Sequence, residues 1–309
     1  MLLWALREGL RRLCWTKIFI FKRAGTGGSD LDGTISIIYD AARQEEKLLI
    51  RELSRRGASV RPVNLDDVEL GLDGPPERLG LAVMRPVSHM KAILIARMLN
   101  ITGIPTINSG ESMELSWNKA LSLAVLRRAG LPVTPSVLVM GGGVKADVDY
   151  PAILKPIQGS WGRMASMVWS RDELSLILRH RSAMDPHARP ALLQPFIGDG
   201  TDYRVFVIGG EAVAGMRRRP PSGDWRSNVA RGGKAEAVRV DRDMGEAAAR
   251  AAEVLGLEYA GVDFLIGDGL MINEVNAVPE FKGLMQSTGV DVPGLLADYL
   301  IEAAKRGVN

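Results

Sequence analysis

Residues 259–283 have the sequence YAGVDFLIGDGLMINEVNAVPEFKG, and this stretch decides the fold. Asp268-Gly269 stands between two apolar runs, and this dipeptide is the strongest short-range signal for a two-residue type I′ β-turn. The stretch therefore predicts an antiparallel hairpin. Gly267 should face Leu270 across the turn, and this pair fixes the register of the two strands.

The predicted hairpin brings two acidic residues together. Counting back from the turn pairs Asp263 with Glu274, and Asn276 follows on the same face because strand side chains alternate. Opposed Cβ atoms lie about 4.5–5.5 Å apart, where like charges are destabilising unless a cation bridges them. Two carboxylates and an amide oxygen suit Mg²⁺, which completes its shell with water and substrate phosphates. Taken alone, the pattern is more typical of an edge hairpin with solvated acids, so the rest of the chain has to decide.

Composition sets the protein class. A chain of 309 residues, 46% hydrophobic and 24% charged, is long enough for two or three packed domains. A single cysteine, Cys14, excludes an internal disulfide and a cysteine metal cluster, so we expect a reducing cytoplasm. Of 39 basic and 36 acidic residues, six and three lie within residues 1–34, and the remainder carries 33 of each. A body without net charge argues against nucleic acid as a partner.

The first 33 residues mix apolar positions, such as Trp4 and Phe19, with basic ones. No apolar run approaches transmembrane length, and the apolar part is too interrupted for a secretory signal. We expect residues 1–33 to form a poorly ordered N-terminal extension, with a membrane-surface helix as the alternative for this segment. No membrane partner is expected.

Residues 34–108 have the pattern of a β-α-β unit with further elements. Strands are predicted at 35–40, 59–64, 79–84 and 103–107, with helices at 44–56 and 88–100. This order predicts a parallel sheet with ligand contacts at the carboxyl ends of its strands, near Tyr39, Asp40 and Arg43. The second helix should begin at the capping residue Ser88 and turn its larger apolar residues inward, namely Met90, Ile93, Leu94 and Met98.

The middle of the chain supplies two lysines and a glycine-containing turn. Lys119 opens a helix that ends at Gly130, and Lys155 ends an apolar strand, where an unpaired charge is costly. The chain has 29 Arg and only 10 Lys, and a compact ammonium suits a phosphate where a planar guanidinium does not. The turn QGSWGR, residues 158–163, can present backbone N–H groups to phosphate.

Further charged residues follow towards the hairpin. A strand from 201 to 208 carries Asp202 and Arg204 on one face. Arg217–Arg219 form the sharpest basic cluster, a pattern that is most often a solvated face. Helices are predicted over 241–255 and 292–305.

Motifs of several other enzyme classes do not occur. The sequence contains no Walker loop, no GxGxxG after the first strand, and no Ser-His-Asp or Cys-His nucleophile set. With three histidines in all, histidine-based metal chemistry is not expected. The chemistry should therefore rest on lysine, arginine and carboxylate side chains.

The order of these features resembles the ATP-grasp superfamily, in its RimK-like branch. The match runs from Tyr39 to Pro293 and is strongest to LysX-type ligases in SWGR, NVARGGKAE and INEVN followed by EFK. It rests on Asn118-Lys119, Lys155-Pro156 with QGSWGR, Gln194, Asp202-x-Arg204, Arg226-x-Asn228, Asp263 and Glu274-x-Asn276. The resemblance implies a mixed α/β protein with the ATP-grasp fold. A Rossmann-like α/β domain (34–108) would precede two α+β subdomains (109–195 and 196–309) that clasp ATP.

The resemblance also implies an activity. ATP-grasp ligases of this branch phosphorylate a carboxylate with ATP, and an amine then displaces phosphate to form an amide bond. LysX-like enzymes attach α-aminoadipate, and close relatives glutamate, to the C-terminal glutamate of LysW, a small acidic carrier protein, in lysine or arginine biosynthesis. A homodimer or homotetramer is implied as well.

Each residue that matches the family pattern receives an implied role. ATP would be held by Lys119, Lys155, Gln158, Gly159, Ser160, Trp161, Gly162 and Arg163, by the main chain of Gln194, Phe196 and Ile197, and at the ribose by Asp202. The γ-phosphate and the acyl phosphate would be held by the catalytic residues Arg204, Arg226 and Asn228. Mg²⁺, or Mn²⁺ in its place, would be bound by Asp263, Glu274 and Asn276.

Two departures from the family pattern affect these roles. Pro195 replaces an acidic residue usual in the family's hinge and removes one backbone donor, so adenine contact would depend on residues 196 and 197. Ala277-Val278-Pro279 differs from the bacterial LysX pattern and leaves the choice between aminoadipate and glutamate open. One alternative is a RimK-like glutamate ligase that modifies a cofactor or a ribosomal protein tail. A second alternative is a nucleotide-binding module without catalysis.

Overall fold

The computed structural model describes residues 33–72, 79–141, 145, 147–159, 162–184, 189–227 and 233–306. The predictions for Ser160, Trp161 and Asn228, and those for Cys14 and residues 1–32 of the extension, lie outside these ranges. The described chain forms three sheets with helices packed on them. This mixed α/β architecture confirms the predicted fold class.

The first sheet is parallel and has the strand order β2-β1-β3-β4. Its strands are β1 (Ile35–Tyr39), β2 (Val60–Asn64), β3 (Leu81–Met84) and β4 (Thr106–Ile107). Helix α1 (Gln44–Arg55) connects β1 with β2, and α2 (His89–Ile101) connects β3 with β4. Ser88 caps α2 by accepting a hydrogen bond from the Lys91 N–H, as predicted. The Rossmann-like opening is thereby confirmed.

Helix α2 buries a different face from the predicted one. Met90 and Leu94 are 74% and 63% exposed, whereas Ala92, Ala96 and Leu99 are buried. The inner face of α2 packs closely against the next helix, α3 (Gly110–Trp117), and small alanine side chains permit that approach. The prediction for Met90 and Leu94 was therefore wrong, and this helix presents large apolar side chains on its outer face.

The second sheet is antiparallel and has the strand order β5-β8-β6-β7. It consists of β5 (Val137–Val139), β6 (Ala152–Pro156), β7 (Ser166–Val168) and β8 (Ala191–Pro195). Helix α5 (Arg171–Ser182) covers one face with Leu174 and Leu178, which join a separate small core. The QGSWGR turn connects β6 with β7, so its described residues stand at the edge of this sheet.

The third sheet is antiparallel and carries the hairpin on which the fold was predicted. Its strands are β9 (Asp202–Ile208), β10 (Glu211–Arg219), β11 (Lys234–Val238), β12 (Tyr259–Ile266) and β13 (Leu270–Asn276), in the order β11-β10-β9-β12-β13. Helix α6 (Arg242–Val254) packs on one face through its alanine side. Helices α3 and α4 (Lys119–Arg128) also pack against β13.

The last two helices join the third sheet to the first. Helix α7 (Lys282–Thr288) packs on β10 and β11, and α8 (Val292–Arg306) packs on α1. The proposed domain boundaries at residues 34, 109 and 196 remain predictions. Helices α3 and α4, which follow the second boundary, share a hydrophobic cluster with β12 and β13. Across the described ranges, no helix combines the length and the apolar composition needed to cross a membrane.

Candidate active site

The hairpin pairs Asp263 with Glu274, as the sequence predicts. The turn itself differs from the prediction, because Ile266 rather than Gly267 pairs with Leu270. The loop thus contains three residues, 267–269, instead of two. A β-bulge one residue long between the turn and Asp263 cancels this difference and restores the predicted pair.

The bulge decides which side chains face the site. Ile272 and Val275 are three residues apart, yet both are buried in the same core. Between them Asn273 and Glu274 are consecutive residues that both line the cavity described below. Regular alternation would have turned only one of the two towards it. Asn273 is therefore a site residue that the sequence analysis missed.

Two arginines contact the Asp263 carboxylate and stabilise its negative charge. Arg204 donates from Nε and Nη2 to the two Asp263 carboxylate oxygens, both at 2.7 Å. Nη2 of Arg218 lies 3.0 Å from Asp263 Oδ2. Burial by itself would raise the pKa of Asp263, but the two guanidinium groups outweigh it and lower the pKa to about 2. Asp263 is therefore ionised in the folded protein at neutral pH.

Arg218 belongs to the basic cluster of residues 217–219, but it is a buried residue of the site and not part of a solvated face. It is only 4% exposed and donates to Asp202 Oδ1 and Oδ2, each at 2.6 Å, in addition to its contact with Asp263. Ser227 Oγ donates to the same Asp202 carboxylate at 2.7 Å. Strand alternation could have predicted that Arg218 is buried, because the middle residue of three arginines on a strand faces away from its two neighbours. Arg217 instead pairs with Glu236 on the other side of the sheet.

The two predicted lysines approach the hairpin from a helix and from the second sheet. Asn118 caps α4 by accepting from the Leu121 N–H, and Lys119 follows directly. Lys119 Nζ donates to the Gly159 carbonyl at 2.6 Å and lies 3.1 Å from Glu274 Oε1. Lys155 Nζ, from β6, donates to Asn273 Oδ1 at 3.0 Å. Burial lowers the pKa of Lys155 to about 8, with Lys119 adding to the effect and Glu274 and Asp263 opposing it.

These side chains converge on one cavity of about 660 Å³. This volume is typical of a ligand-binding site. Most predicted site residues line it, namely Lys119, Lys155, Gly159, Gly162, Arg163, Gln194, Phe196, Ile197, Asp202, Arg204, Arg226, Asp263, Glu274 and Asn276. Gln158 does not, and lines a neighbouring cavity instead.

The hinge around Pro195 limits how a base can be bound. The Phe196 N–H donates to the Pro151 carbonyl at 2.8 Å, so it is not available to a ligand. The Gln194 side chain is also engaged, since its Nε2 donates to Ser136 Oγ at 2.8 Å. Of the two residues predicted to offer a backbone donor, only Ile197 is left for this role.

The far end of the cavity is built by the first sheet and the segment after β13. Arg43 Nη1 lies 3.4 Å from Glu280 Oε1, and Lys282 and Glu45 line the same end. Behind them, the buried Arg85 donates to Glu46 and to the Pro279 carbonyl, both at 3.1 Å. Of the residues predicted at the strand ends of the first sheet, Arg43 lines this cavity and Asp40 the neighbouring one.

His89 forms part of the cavity wall. Its ring stacks on Trp117 with a centroid separation of 4.0 Å and an interplanar angle of 2°. Burial lowers its pKa to about 4, helped by Lys119 and opposed by Glu274, so the imidazole is neutral at pH 7. The sequence analysis gave this residue no role.

Of the three predicted cation ligands, Glu274 and Asn276 keep oxygens for a divalent cation, whereas both Asp263 oxygens are engaged by Arg204 and Asn276. Asn276 Nδ2 donates to Asp263 Oδ2 at 3.3 Å and to the Gly261 carbonyl at 3.5 Å, so its amide oxygen remains for a cation. Glu274 contributes a carboxylate whose ion-pair partner, Lys119, is itself a predicted phosphate ligand. Mg²⁺ accepts such a mixed set and completes it with phosphate oxygens and water.

Known ATP-grasp proteins are similar to this chain over most of its length. The RimK-like ATP-grasp domain model matches residues 116–300, and the LysX preATP-grasp domain model matches residues 35–115. Glutamate–LysW ligase ArgX of Sulfolobus acidocaldarius is 32% identical over 274 residues, which cover 86% of this chain and 97% of the relative. Alpha-aminoadipate–LysW ligase LysX of Sulfurisphaera tokodaii is 31% identical over 288 residues, or 89% and 99% of the two chains. The crystal structure of an ATP-grasp RimK domain protein from Sphaerobacter thermophilus superposes on this chain with a TM-score of 0.70 and is 26% identical in sequence. The superposition covers 86% of this chain and 98% of that protein's chain.

Proposed function

The chain belongs to the RimK-like ATP-grasp family, and on that premise we propose that it joins glutamate or α-aminoadipate to the C-terminal glutamate of a LysW-type carrier protein. Family membership makes it an ATP-dependent ligase that forms a C–N bond. ATP-grasp ligases bind ATP and Mg²⁺. The proposal includes the identity of the carrier and of the amino acid. It also includes the use of Mn²⁺ in place of Mg²⁺, a homodimer or homotetramer, and a cytoplasmic location.

One observation carries the proposal, namely the concentration of cationic side chains around the carboxylate hairpin. Lys119, Lys155, Arg204 and Arg226 line one cavity together with Asp263 and Glu274. Phosphoryl transfer needs positioning and electrostatic stabilisation rather than a covalent nucleophile on the protein. The cavity supplies these two requirements.

The proposed reaction has two steps. A carboxylate oxygen of the carrier attacks the γ-phosphorus of ATP, the bond to the bridging oxygen breaks, and ADP leaves. The amine nitrogen of the amino acid then attacks the acyl carbon, phosphate leaves, and the amine proton passes to solvent. Bound Mg²⁺ would neutralise phosphate charge during the first step.

The side chains of the site can divide this work. Lys119 and Lys155 would orient the phosphates. Lys119 is held by its ion pair with Glu274, and Lys155 by its hydrogen bond to Asn273. Arg204 uses Nε and Nη2 for Asp263, which leaves Nη1 for an oxygen of the transferring group. Arg226 lies over the Trp225 ring at 4.8 Å and also approaches from this side.

The amino acid would occupy the far end of the cavity. Arg43 and Lys282 provide two cations for the two carboxylates of a dicarboxylic amino acid, and Glu45 and Glu280 provide acidic partners for an ammonium. Two relatives named for glutamate are 32% and 33% identical to this chain, and three named for α-aminoadipate are 31%, 28% and 27% identical. We therefore keep both amino acids in the proposal.

Intact-mass analysis of the carrier tests this function. Purified protein would be incubated with ATP, Mg²⁺, LysW and either glutamate or α-aminoadipate, and LysW should gain the mass of one amino-acid residue with one of them. A gain on a ribosomal protein tail instead of LysW would support the alternative RimK-like activity. No gain on LysW with either amino acid would contradict the proposal.

A further inference from the structure

Residues 275–280 run from the hairpin to the far end of the cavity, and three buried polar side chains hold their main chain. Each side chain donates to one carbonyl, and the three carbonyls belong to alternate residues. The donors come from α3 and from the residues that follow β4 and β3, so the segment is tied to three separate parts of the fold. The pairs are Ser116 Oγ with the Val275 carbonyl at 2.7 Å, Asn108 Nδ2 with that of Ala277 at 2.7 Å, and Arg85 Nη1 with that of Pro279 at 3.1 Å.

Burial alternates along the same segment. Residues 275, 277 and 279 are buried, whereas Asn276, Val278 and Glu280 are partly exposed and line the cavity. The held carbonyls thus belong to the buried residues, and the side chains between them are presented to a ligand. Because each peptide group is planar, a rotation of a held carbonyl would also turn the residue that follows it.

Asn276 is held on both sides by these contacts. Ser116 holds the carbonyl of the residue before it, and Asn108 holds the carbonyl of the residue after it. The Asn276 Nδ2 group donates to the Gly261 carbonyl and to Asp263, which leaves the amide oxygen for a cation. The main-chain and side-chain contacts together fix the direction of that oxygen.

Asn108 makes further contacts that tie the segment to the start of β12. Its Nδ2 also donates to the Tyr259 carbonyl at 2.8 Å. Its Oδ1 accepts from the Glu258 N–H at 2.6 Å and from the Tyr259 N–H at 3.3 Å. A buried amide that is engaged through both of its polar atoms is costly to displace. Asn108 therefore provides a fixed point behind the hairpin.

We infer that Ser116 and Asn108 are positioning residues of the cation site, which hold the Asn276 amide oxygen in the direction from which it binds the metal. This inference rests on the proposed function in one respect, namely that Asn276 is a cation ligand. Ser116 and Asn108 are buried and are not among the described residues that line the cavity, so they act through residues 275–277. A metal ligand whose place is fixed by supporting hydrogen bonds binds more tightly than one that is left to move.

Deletion of one buried hydroxyl, with a matched control, tests this inference. Ser36 on β1 is also buried, and its Oγ donates to the Leu79 carbonyl at 2.6 Å. Ser116→Ala and Ser36→Ala therefore delete the same kind of hydrogen bond and should lower the melting temperature by similar amounts. Calorimetry measures the affinity for ADP with and without Mg²⁺, and the ratio of the two affinities is the gain that Mg²⁺ provides. Only Ser116→Ala should reduce this gain, by at least threefold relative to the wild type.

Asn108→Ala is the second variant. It removes four hydrogen bonds where Ser116→Ala removes one, so it should lower the melting temperature further and reduce the Mg²⁺ gain by at least as much. Loss of fold stability alone would weaken ADP binding equally with and without Mg²⁺ and would leave the ratio unchanged. An unchanged ratio in Ser116→Ala, or an equal fall in Ser36→Ala, would overturn the positioning role.

The binding assay needs neither LysW nor the amino acid, so its result is independent of the mass analysis of the carrier. If LysW gains mass and Ser116→Ala keeps the full Mg²⁺ gain, the positioning role is overturned and the proposed function stands. If LysW gains no mass and Ser116→Ala alone reduces the Mg²⁺ gain, the proposed function is overturned and the positioning role stands.

Discussion

Asp263 and Glu274 are cross-strand neighbours, yet they have different partners. Asp263 is buried and accepts hydrogen bonds from Arg204 and from Asn276, with Arg218 3.0 Å away. Glu274 is more exposed, and its ion-pair partner is Lys119 at 3.1 Å. One carboxylate is therefore part of the packed structure, and the other is available to a ligand.

Substitution of these two residues should separate stability from activity. Glu274→Gln should lower ATP turnover by about 10²-fold, because a preorganised charge is lost where phosphate charge develops, and should leave the melting temperature unchanged. Asp263→Asn should lower the free energy of unfolding by about 3 kcal/mol, because Arg204 loses its buried counter-ion and Arg218 loses one of its two. Kinetics and urea unfolding of both variants check this. Unchanged turnover in Glu274→Gln would mean that the hairpin is not the metal site.

Arg218 should behave differently from the next residue on the same strand. Arg218→Met leaves Asp202 and Asp263 buried without one of their cations and should lower the free energy of unfolding by about 3 kcal/mol. Arg219→Met removes the same charge from an exposed position and should change stability by less than about 0.5 kcal/mol. Urea denaturation of the pair measures the difference. Equal effects would show that the Arg218 network does not stabilise the fold.

Lys155 should make ATP binding depend on pH. With a pKa of about 8, the ammonium is protonated at pH 7 and loses its charge as the pH rises through 8. The KM for ATP should therefore rise above pH 8, approaching about tenfold per pH unit if the neutral lysine does not bind phosphate. Lys155→Arg should abolish this rise, since arginine stays charged. A profile that is flat in the wild type from pH 7 to 9.5 would contradict the assignment.

Gly261 should not accept a side chain. A Cβ atom at this position would lie 2.9 Å from Pro279 Cβ, and the rigid proline is held from behind by Arg85. Gly261→Ala should therefore lower the free energy of unfolding by about 1–3 kcal/mol. Gly269→Ala in the same hairpin is the control, because nothing lies within 4 Å of a Cβ there. Thermal unfolding of the two variants should show a fall only for Gly261→Ala.

Local patterns in the sequence were sufficient for the elements but not for all their contacts. The Asp263–Glu274 pair was predicted correctly although the turn was not, because the longer turn and the bulge offset each other by one residue. The spacing of Ile272 and Val275, which breaks strand alternation, was the available signal for that bulge. The outward face of α2 was missed because helical periodicity does not say which apolar face a neighbouring helix can approach.

Contacts between distant parts of the chain were beyond the reach of such patterns. Arg43 meets Glu280, and Arg85 meets Pro279, across more than 190 residues of sequence. Nothing in either local sequence specifies the other, because these pairs depend on how the first sheet is placed against the third. The amino-acid end of the cavity therefore became visible only in the folded chain.

The short connection between the two ends of the cavity has a thermodynamic consequence. Only two residues separate Asn276, a predicted cation ligand, from Pro279, whose carbonyl accepts a hydrogen bond from Arg85 at the end of β3. A shift of β13, if nucleotide binding causes one, would therefore be transmitted to the amino-acid end. The two ligands should bind with heterotropic cooperativity, and reciprocity requires each to change the affinity of the other by the same factor. Calorimetric titration of the amino acid with and without a non-hydrolysable ATP analogue, and of the analogue with and without the amino acid, should return one common coupling energy.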